Sequence, residues 1–229
     1  MSKGILIAVD GLDGSGKETQ SKLLCATLNK AGVKNKLISF PTYKEDSSAL
    51  IKMYLRGDFG KDPASVNPFA ASSFYAMDRY CSYMLDFKKD YDNGTVIIAN
   101  RYTTANLVHQ MSKLSEGEWD SFGKWLLDYE FSLLGLPAPD GVIYLCLPPK
   151  SSSDLVQKRC DDTGAVKDIH ENNIKHLEDS YKAALYASDK YGWNRVDCVR
   201  DEALRSIEDI HGEVCDIVKG ILADKGIQF

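Results

Sequence analysis

Gly11-Leu12-Asp13-Gly14-Ser15-Gly16-Lys17 sets three glycines and a lysine at the spacing G-x-x-x-x-G-K. Glycines accept backbone conformations that turn successive N–H groups inward, and the resulting concavity holds phosphate oxygens. A helix beginning at Lys17 would aim its positive N-terminal end at the same anion. Lys17 can then reach the outer phosphates of a nucleoside triphosphate, while Asp13 adds a carboxylate within the loop. A glycine-rich turn without function would not need a strand before it and a lysine and helix after it.

The position after the lysine usually carries Ser or Thr, whose hydroxyl binds Mg²⁺; here it is Glu18. Thr19 follows, but one residue along a helix is a rotation of roughly 100°. Glu18 is either a favourable acid in the first helical turn or a carboxylate that reaches the metal, directly or through water.

Such a loop needs a strand behind it and a helix ahead. Ile5–Asp10 reads as a buried strand, and Lys17–Ala31 as a helix stopped by Gly32. Further strands are expected at Lys36–Phe40, Val96–Asn100, Val142–Leu147 and Arg195–Cys198. Helices are expected at Ser48–Arg56, Pro68–Asp90, Thr104–Lys113, Glu118–Leu134, Ser152–Arg159, Ile169–Tyr191 and Ala203–Leu222, with Ser153 or Asp154 as a cap. Cys160–Ala165 reads as a polar turn, or as a mobile flap over a ligand. Short apolar runs alternating with helices indicate an α/β fold, a five-stranded parallel sheet flanked by helices in three layers. Residues 1–229 contain no long linker, so one domain is expected.

The bulk numbers exclude several classes. A net charge of -5 argues against a partner held by a nucleic-acid backbone. No run of about 18 apolar residues suggests a membrane span, and no signal-peptide pattern precedes the loop. Six scattered cysteines, without a CxxC pair, fit reduced thiols in a cytoplasmic protein.

Gly11-Leu-Asp-Gly-Ser-Gly-Lys-Glu-Thr-Gln20 resembles the loop of the thymidylate kinase family of P-loop nucleoside monophosphate kinases. Further likenesses follow in family order: Phe40-Pro41, Phe74-Tyr-Ala-Met-Asp-Arg79, Asn100-Arg-Tyr102 and Leu136-Pro-Ala-Pro-Asp140. They extend to Asp140, and more loosely to about Glu171 through a short lid at about 160–170. The resemblance implies the P-loop NTPase fold, with Mg²⁺ and ATP bound at Gly11, Asp13, Gly14, Ser15, Gly16, Lys17, Glu18 and Thr19, and Arg159 against adenine. It implies dTMP against Phe40, Pro41 and Tyr43, with Tyr75 stacked on thymine, Arg79 on a base carbonyl and Arg101 on the phosphate. Tyr102 and Gln110 fall where the family approaches sugar and base. Asp13 either lies near the acceptor or holds Arg101 or another cation in place.

Four departures bear on the site. Asn100 stands where the family has an aspartate associated with magnesium, and Glu18 replaces the hydroxyl on the other side of that metal. The two changes read as compensating, a carboxylate moved from strand end to loop. Tyr43, followed by Lys44, replaces an arginine that grips the acceptor phosphate. In the lid, Ile169 takes the place of an expected arginine, which leaves Lys167 as the nearest cation for the transferring group.

The implied reaction passes the γ-phosphoryl group of ATP to dTMP, with Lys17, Arg101, Asp13 and Lys167 as catalytic residues. Two alternatives are a related kinase with another deoxynucleotide or deoxynucleoside acceptor, and a nucleotide-binding relative without catalysis. A homodimer follows from the resemblance alone.

Overall fold

Apolar runs flanked by turn residues become the strands of a central parallel sheet: β1 (Ile5–Gly11), β2 (Asn35–Ser39), β3 (Val96–Asn100), β4 (Gly141–Cys146) and β5 (Asn194–Asp197), in the order β2-β3-β1-β4-β5. The structure is a computed structural model and describes residues 3–164 and 166–229. All five expected strands are present, each shifted by no more than a residue or so at its ends; the central three are buried, nearly unbroken apolar runs, whereas the edge strands β2 and β5 are only partly buried. Alternate residues feed two cores. Leu6, Ala8, Ile97, Ala99 and Tyr144 face one side. Ile5, Ile7, Val9, Ile98 and Leu145 face the other, together with Leu24, Leu28, Val214 and Val218.

The helices are α1 (Lys17–Lys30), α2 (Ala49–Arg56), α3 (Pro68–Ser82), α4 (Lys88–Asp92), α5 (Thr104–His109), α6 (Trp119–Leu127), α7 (Pro149–Thr163), α8 (Ile174–Tyr191) and α9 (Ile207–Ala223). Several differ from expectation for local reasons. The helix expected over Pro68–Asp90 is interrupted by a π turn at Tyr83–Phe87, where Lys36 Nζ donates to the Asp86 carbonyl at 3.0 Å and to its carboxylate at 2.7 Å. That expected over Glu118–Leu134 likewise passes into a π turn at Asp128–Leu133, which carries Glu130. The expected Thr104–Lys113 helix ends at His109, with a 3₁₀ turn over Met111–Lys113.

α7 starts earlier and ends later than expected. Pro149 occupies its first turn, neither Ser153 nor Asp154 caps it, and it runs through Cys160–Thr163 to Gly164 at φ 72°. The turn expected at Cys160–Ala165 is therefore helical up to Thr163, and Ala165 lies outside the described residues. α8 begins five residues late. Asp168 Oδ1 accepts from the backbone of His170 at 2.8 Å and Glu171 at 3.0 Å, and Asn173 Oδ1 caps His176 N at 2.9 Å. Such side-chain bonds to the backbone compete with helix formation.

The expected Ala203 start of the last helix is also wrong. Ala203–Leu204 form strand β7 against β6 (Val199–Arg200), turned through Asp201 and Glu202 at φ 50° and 62°. Ser206 then caps α9, accepting from Asp209 N at 3.1 Å.

Candidate active site

The register of the sheet decides which loops meet. Val9 pairs with Asn100, and Arg101 N donates to Val9 O at 3.0 Å, so the end of β3 lies beside the loop that leaves β1. Ligands in open α/β sheets bind at the carboxyl ends of such neighbouring strands. A cleft of about 720 Å³ opens here, between the glycine loop, the ends of β2 and β3, α3, α5, α7 and the lid segment.

Within the loop, Gly14 and Gly16 take left-handed backbone at φ 78° and 82°, a region that costs other residues energy. At Gly14 an added Cβ would also come within 3.1 Å of the Ser152 carbonyl. Ser152 Oγ donates to Asp13 O at 2.6 Å, which fastens α7 to the loop. Gly14, Gly16, Lys17, Glu18 and Thr19 line the cleft with Asp13. Gly11 and Ser15 lie beneath that surface, where Ser15 Oγ is buried without a partner.

Charge concentrates around Asp13. Arg101 Nη2 donates to Asp13 Oδ1, and Lys17 Nζ lies 3.5 Å from the same oxygen while donating to Leu12 O at 3.0 Å. Burial works against the Asp13 carboxylate, yet Arg101 and Lys17 together hold its pKa far below the usual range. Burial, reinforced by Arg101, lowers Lys17 from 10.5 to about 8. Behind them Asp10, wholly buried, accepts from Thr104 Oγ1 at 2.7 Å and Gly11 N at 2.8 Å and lies 3.5 Å from Arg101 Nη1. Arg101 adopts φ 66°, rare for a residue with a side chain. Of the two sequence readings of Asp13, the one in which it holds Arg101 describes this geometry.

The remaining expected residues distribute unevenly. Tyr75, Phe40, Pro41 and Tyr43 line the cleft, whereas Lys44 is not among its lining residues. Arg79 also lines it, but is no surface residue: at 1% exposure it forms a two-pronged pair with Glu130, itself 0% exposed, through Nε at 2.7 Å and Nη2 at 2.5 Å. Its Nη1 donates to Tyr102 O at 3.4 Å. Gln110 lines the cleft, buried, with Oε1 unpartnered. Tyr102 also lines the cleft, from its floor. Its side chain is fully buried and its hydroxyl donates to Pro137 O at 3.0 Å, away from any substrate.

The metal and lid residues separate too. Asn100 Nδ2 donates to Ser39 Oγ at 2.9 Å and leaves Oδ1 buried and unpartnered. Glu18, with its side chain 69% exposed, pairs with Lys22 at 2.6 Å on the cleft rim. Lys167 does not reach the cleft. The turn around Asp168 directs Asp168, His170 and Glu171 inward and leaves Lys167 outside the lining. Arg159, held to Glu171 at 2.6 Å, is the lid-side cation that lines the cleft.

Asp10, Asn106, His109 and His170 carry no sequence signal of their own: each is a single polar residue in an ordinary strand, helix or turn. Gln20, read as a family detail, ties α1 to α9 by donating to Ile207 O at 2.9 Å.

A glycine loop with its lysine, facing a second half of the cleft lined by Arg79 and Arg101, suits phosphoryl transfer between two substrates. Residues 9–214 match the family model described as thymidylate kinase.

The chain belongs to the thymidylate kinase family.

It is a phosphotransferase, a nucleoside monophosphate kinase. It is similar to the thymidylate kinase of Mycobacterium tuberculosis (strain CDC 1551 / Oshkosh), 29% identical over 175 residues that cover 75% of this chain and 79% of that one. It is similar to that of Plasmodium falciparum (isolate 3D7), 29% identical over 220 residues covering 96% of this chain and 90% of the relative. A probable thymidylate kinase of Thermococcus gammatolerans is 28% identical, covering 94% and 96%. The fold matches the solved thymidylate kinase of Candida albicans with a TM-score of 0.70 at 20% identity, over 96% of this kinase and 93% of that chain. No helix among the described residues is long and apolar enough to cross a membrane.

Proposed function

We propose that the cleft seats ATP on the glycine loop and dTMP against Tyr75 and Arg101, and passes the γ-phosphoryl group between them to give ADP and dTDP for dTTP biosynthesis. The observation that carries this reading is the shared carboxylate. Lys17, at the start of α1, and Arg101, just past the end of β3, both lean on Asp13, from which each can turn to a phosphate of its own substrate.

A dTMP phosphate oxygen attacks the γ-phosphorus as the bond to the β–γ bridging oxygen breaks. The attacking dTMP oxygen is ionised near neutral pH, so no general base is needed. Catalysis is then alignment and charge neutralisation. Loop amides and Lys17 hold the triphosphate, Arg101 grips the acceptor phosphate with a planar fork, and Arg159 lies toward adenine. Tyr75 offers a stacking face. Arg79, oriented by Glu130, has Nη1 only loosely held on Tyr102 O at 3.4 Å and can donate from it to a base carbonyl, and the unpartnered Oε1 of Gln110 can accept from the base. Phe40, Pro41 and Tyr43 close the acceptor end. Lys167 joins the site only if the lid segment moves.

Mg²⁺ is proposed to accompany ATP, where it neutralises phosphate charge. The buried, unpartnered Oδ1 of Asn100 suits the oxygen preference of this ion, and Glu18 supplies a carboxylate from the rim. A homodimer is proposed through the outer face of α3 and the π turn that continues it, where Phe69, Met77 and Tyr80, then Met84, expose apolar surface at helical spacing. We place the kinase in the cytoplasm.

Tyr43, standing in place of an arginine at the acceptor end, favours a second reading in which the acceptor is another deoxynucleotide. A coupled assay of ADP release with Mg-ATP and dTMP, dUMP, dGMP, dCMP or thymidine separates the two. Turnover highest with dTMP is expected. Preference for another acceptor supports the second reading, and ATP binding without turnover on any acceptor overturns both.

A further inference from the structure

Three of the chain's four histidines converge behind the acceptor end of the cleft. His109 closes α5, His170 lies in the lid turn, and His176 stands in the first turn of α8. Their ring centroids are 5.5 Å apart for His109 and His170, 5.8 Å for His109 and His176, and 4.5 Å for His170 and His176. One ligating nitrogen from each lies within 4.8 Å of the others, and all three residues are buried. Apolar side chains would fill this space without carrying polar atoms that need partners; imidazoles do carry them. One need is unmet, since His109 Nδ1 is buried and has no partner.

We propose that His109, His170 and His176 form a binding site for one borderline transition-metal dication of the Zn²⁺ or Co²⁺ class, separate from any magnesium on the phosphates. This does not rest on the reaction assigned above. Imidazole nitrogen selects such ions, whereas Mg²⁺ prefers oxygen. Neutral rings are the ligating form. Burial lowers His109 and His170 well below 6.5 and brings His176 to about 4, so no proton on a charged ring has to be displaced near neutrality. Tetrahedral bonds of about 2.0–2.1 Å set the ligand atoms roughly 3.4 Å apart, so from separations within 4.8 Å the rings must close by up to about 1.4 Å. Three ligands leave a fourth position for water or a ligand in the cleft, which His109 and His170 line.

The neighbours support specific tautomers. Tyr54 donates its hydroxyl proton to Pro63 O at 3.1 Å, and its oxygen accepts from Lys113 at 2.6 Å. The 2.8 Å contact with His170 then carries the proton of His170 Nε2, which leaves Nδ1 with its lone pair. His176 Nε2 lies 3.5 Å from Ser180 Oγ. Asp13, Asp62 and Asp179 favour a dication here, while Arg101, Lys17 and Lys113 oppose it. Burial lowers Lys113 to about 7, so it sheds its charge readily. A second cavity of about 520 Å³, lined by His176, Lys113, Asp62 and Asp179, gives access to His176.

Occupancy has a consequence at the phosphate-binding arginine. Arg101 Nη1 now donates to His109 Nε2 at 3.2 Å. A metal on Nε2 takes that lone pair, and a metal on Nδ1 moves the ring proton to Nε2. In either case Arg101 must release His109, keeping Asp13 and Asp10. The ion would also tie the lid turn to α5 and α8.

The test uses the full chain, stripped with a chelator and free of nucleotide, titrated with Co²⁺ by visible absorption and with Zn²⁺ by calorimetry. One equivalent of Co²⁺ with an intense tetrahedral spectrum, displaced by Zn²⁺, is expected. His176→Phe, which keeps the ring volume, should weaken binding by about 100-fold or more, since losing a ligand costs no less than losing a ligand's hydrogen-bond partner. His170→Gln gives the same reading if the first variant does not fold, as judged by circular dichroism. No uptake at millimolar metal would mean that the rings only pack together and would overturn the site. So would binding unchanged in a folded His176→Phe or His170→Gln protein, or an octahedral Co²⁺ spectrum.

Discussion

Arg101 donates from Nη2 to Asp13 Oδ1, and this pair joins the end of β3 to the middle of the glycine loop. The arginine meets the loop from a backbone at φ 66°, directly after the strand ends. The strain is offset by contacts with two carboxylates, Asp13 and Asp10, and by the bond to His109.

Replacing the guanidinium fork by a point charge isolates its geometry. Arg101→Lys should lower kcat/KM for dTMP by roughly 100-fold while leaving the affinity for ATP within a few-fold. Steady-state kinetics with both substrates varied provides the check, and an equal loss for ATP would count against the division of the cleft.

Lys17, lowered from 10.5 to about 8 by burial and by Arg101, is largely charged at pH 7 and largely neutral at pH 9 in the ligand-free kinase. A triphosphate favours the charged form and raises that pKa. ATP binding should therefore take up a proton above pH 8, and affinity should fall as the pH rises through that value. Calorimetry at pH 9 in buffers of different ionisation enthalpy measures the uptake, which Lys17→Met should abolish.

Asn100 Oδ1 is buried without a partner, and Glu18 pairs with Lys22 on the rim of the same cleft. If a carboxylate has moved between these positions, Glu18→Ser and Asn100→Asp should each cost about tenfold in kcat. The double variant should recover most of it, a coupling within the range known for interacting sites. Two harmless single changes would end the idea.

Glu130 accepts from Arg79 at 2.7 and 2.5 Å, Thr103 at 2.7 Å and Asn106 at 3.3 Å, all of them buried. Glu130→Ala strands the Arg79 charge inside the protein and should destabilise it by about 3–5 kcal/mol. Urea denaturation of the folded variant reads this directly. A loss of under about 1 kcal/mol would show that water replaces the carboxylate.

Much of the site's frame was legible in the chain because its signals are local. A strand buried on both faces must be a continuous apolar run, and a nest for phosphates must be glycine at Gly14 and Gly16, where φ is positive. Helix boundaries were read less well wherever a side chain outbid the helix for the backbone, as Asp168 and Asn173 do before α8. The Asp201-Glu202 turn, positive in φ without glycine, gave no warning at all.

The sequence by itself determined the parallel sheet, the glycine loop with Lys17, and the arginine that follows β3. Only the tertiary structure decided that Arg79 rests on Glu130, 51 positions away, and that Arg159 rather than Lys167 lines the cleft. It alone gathered His109, His170 and His176. The reason is one of range: backbone conformation is dictated by neighbours along the chain, whereas a side chain's charge partner is whichever group the packing of the sheet and helices brings within about 3 Å.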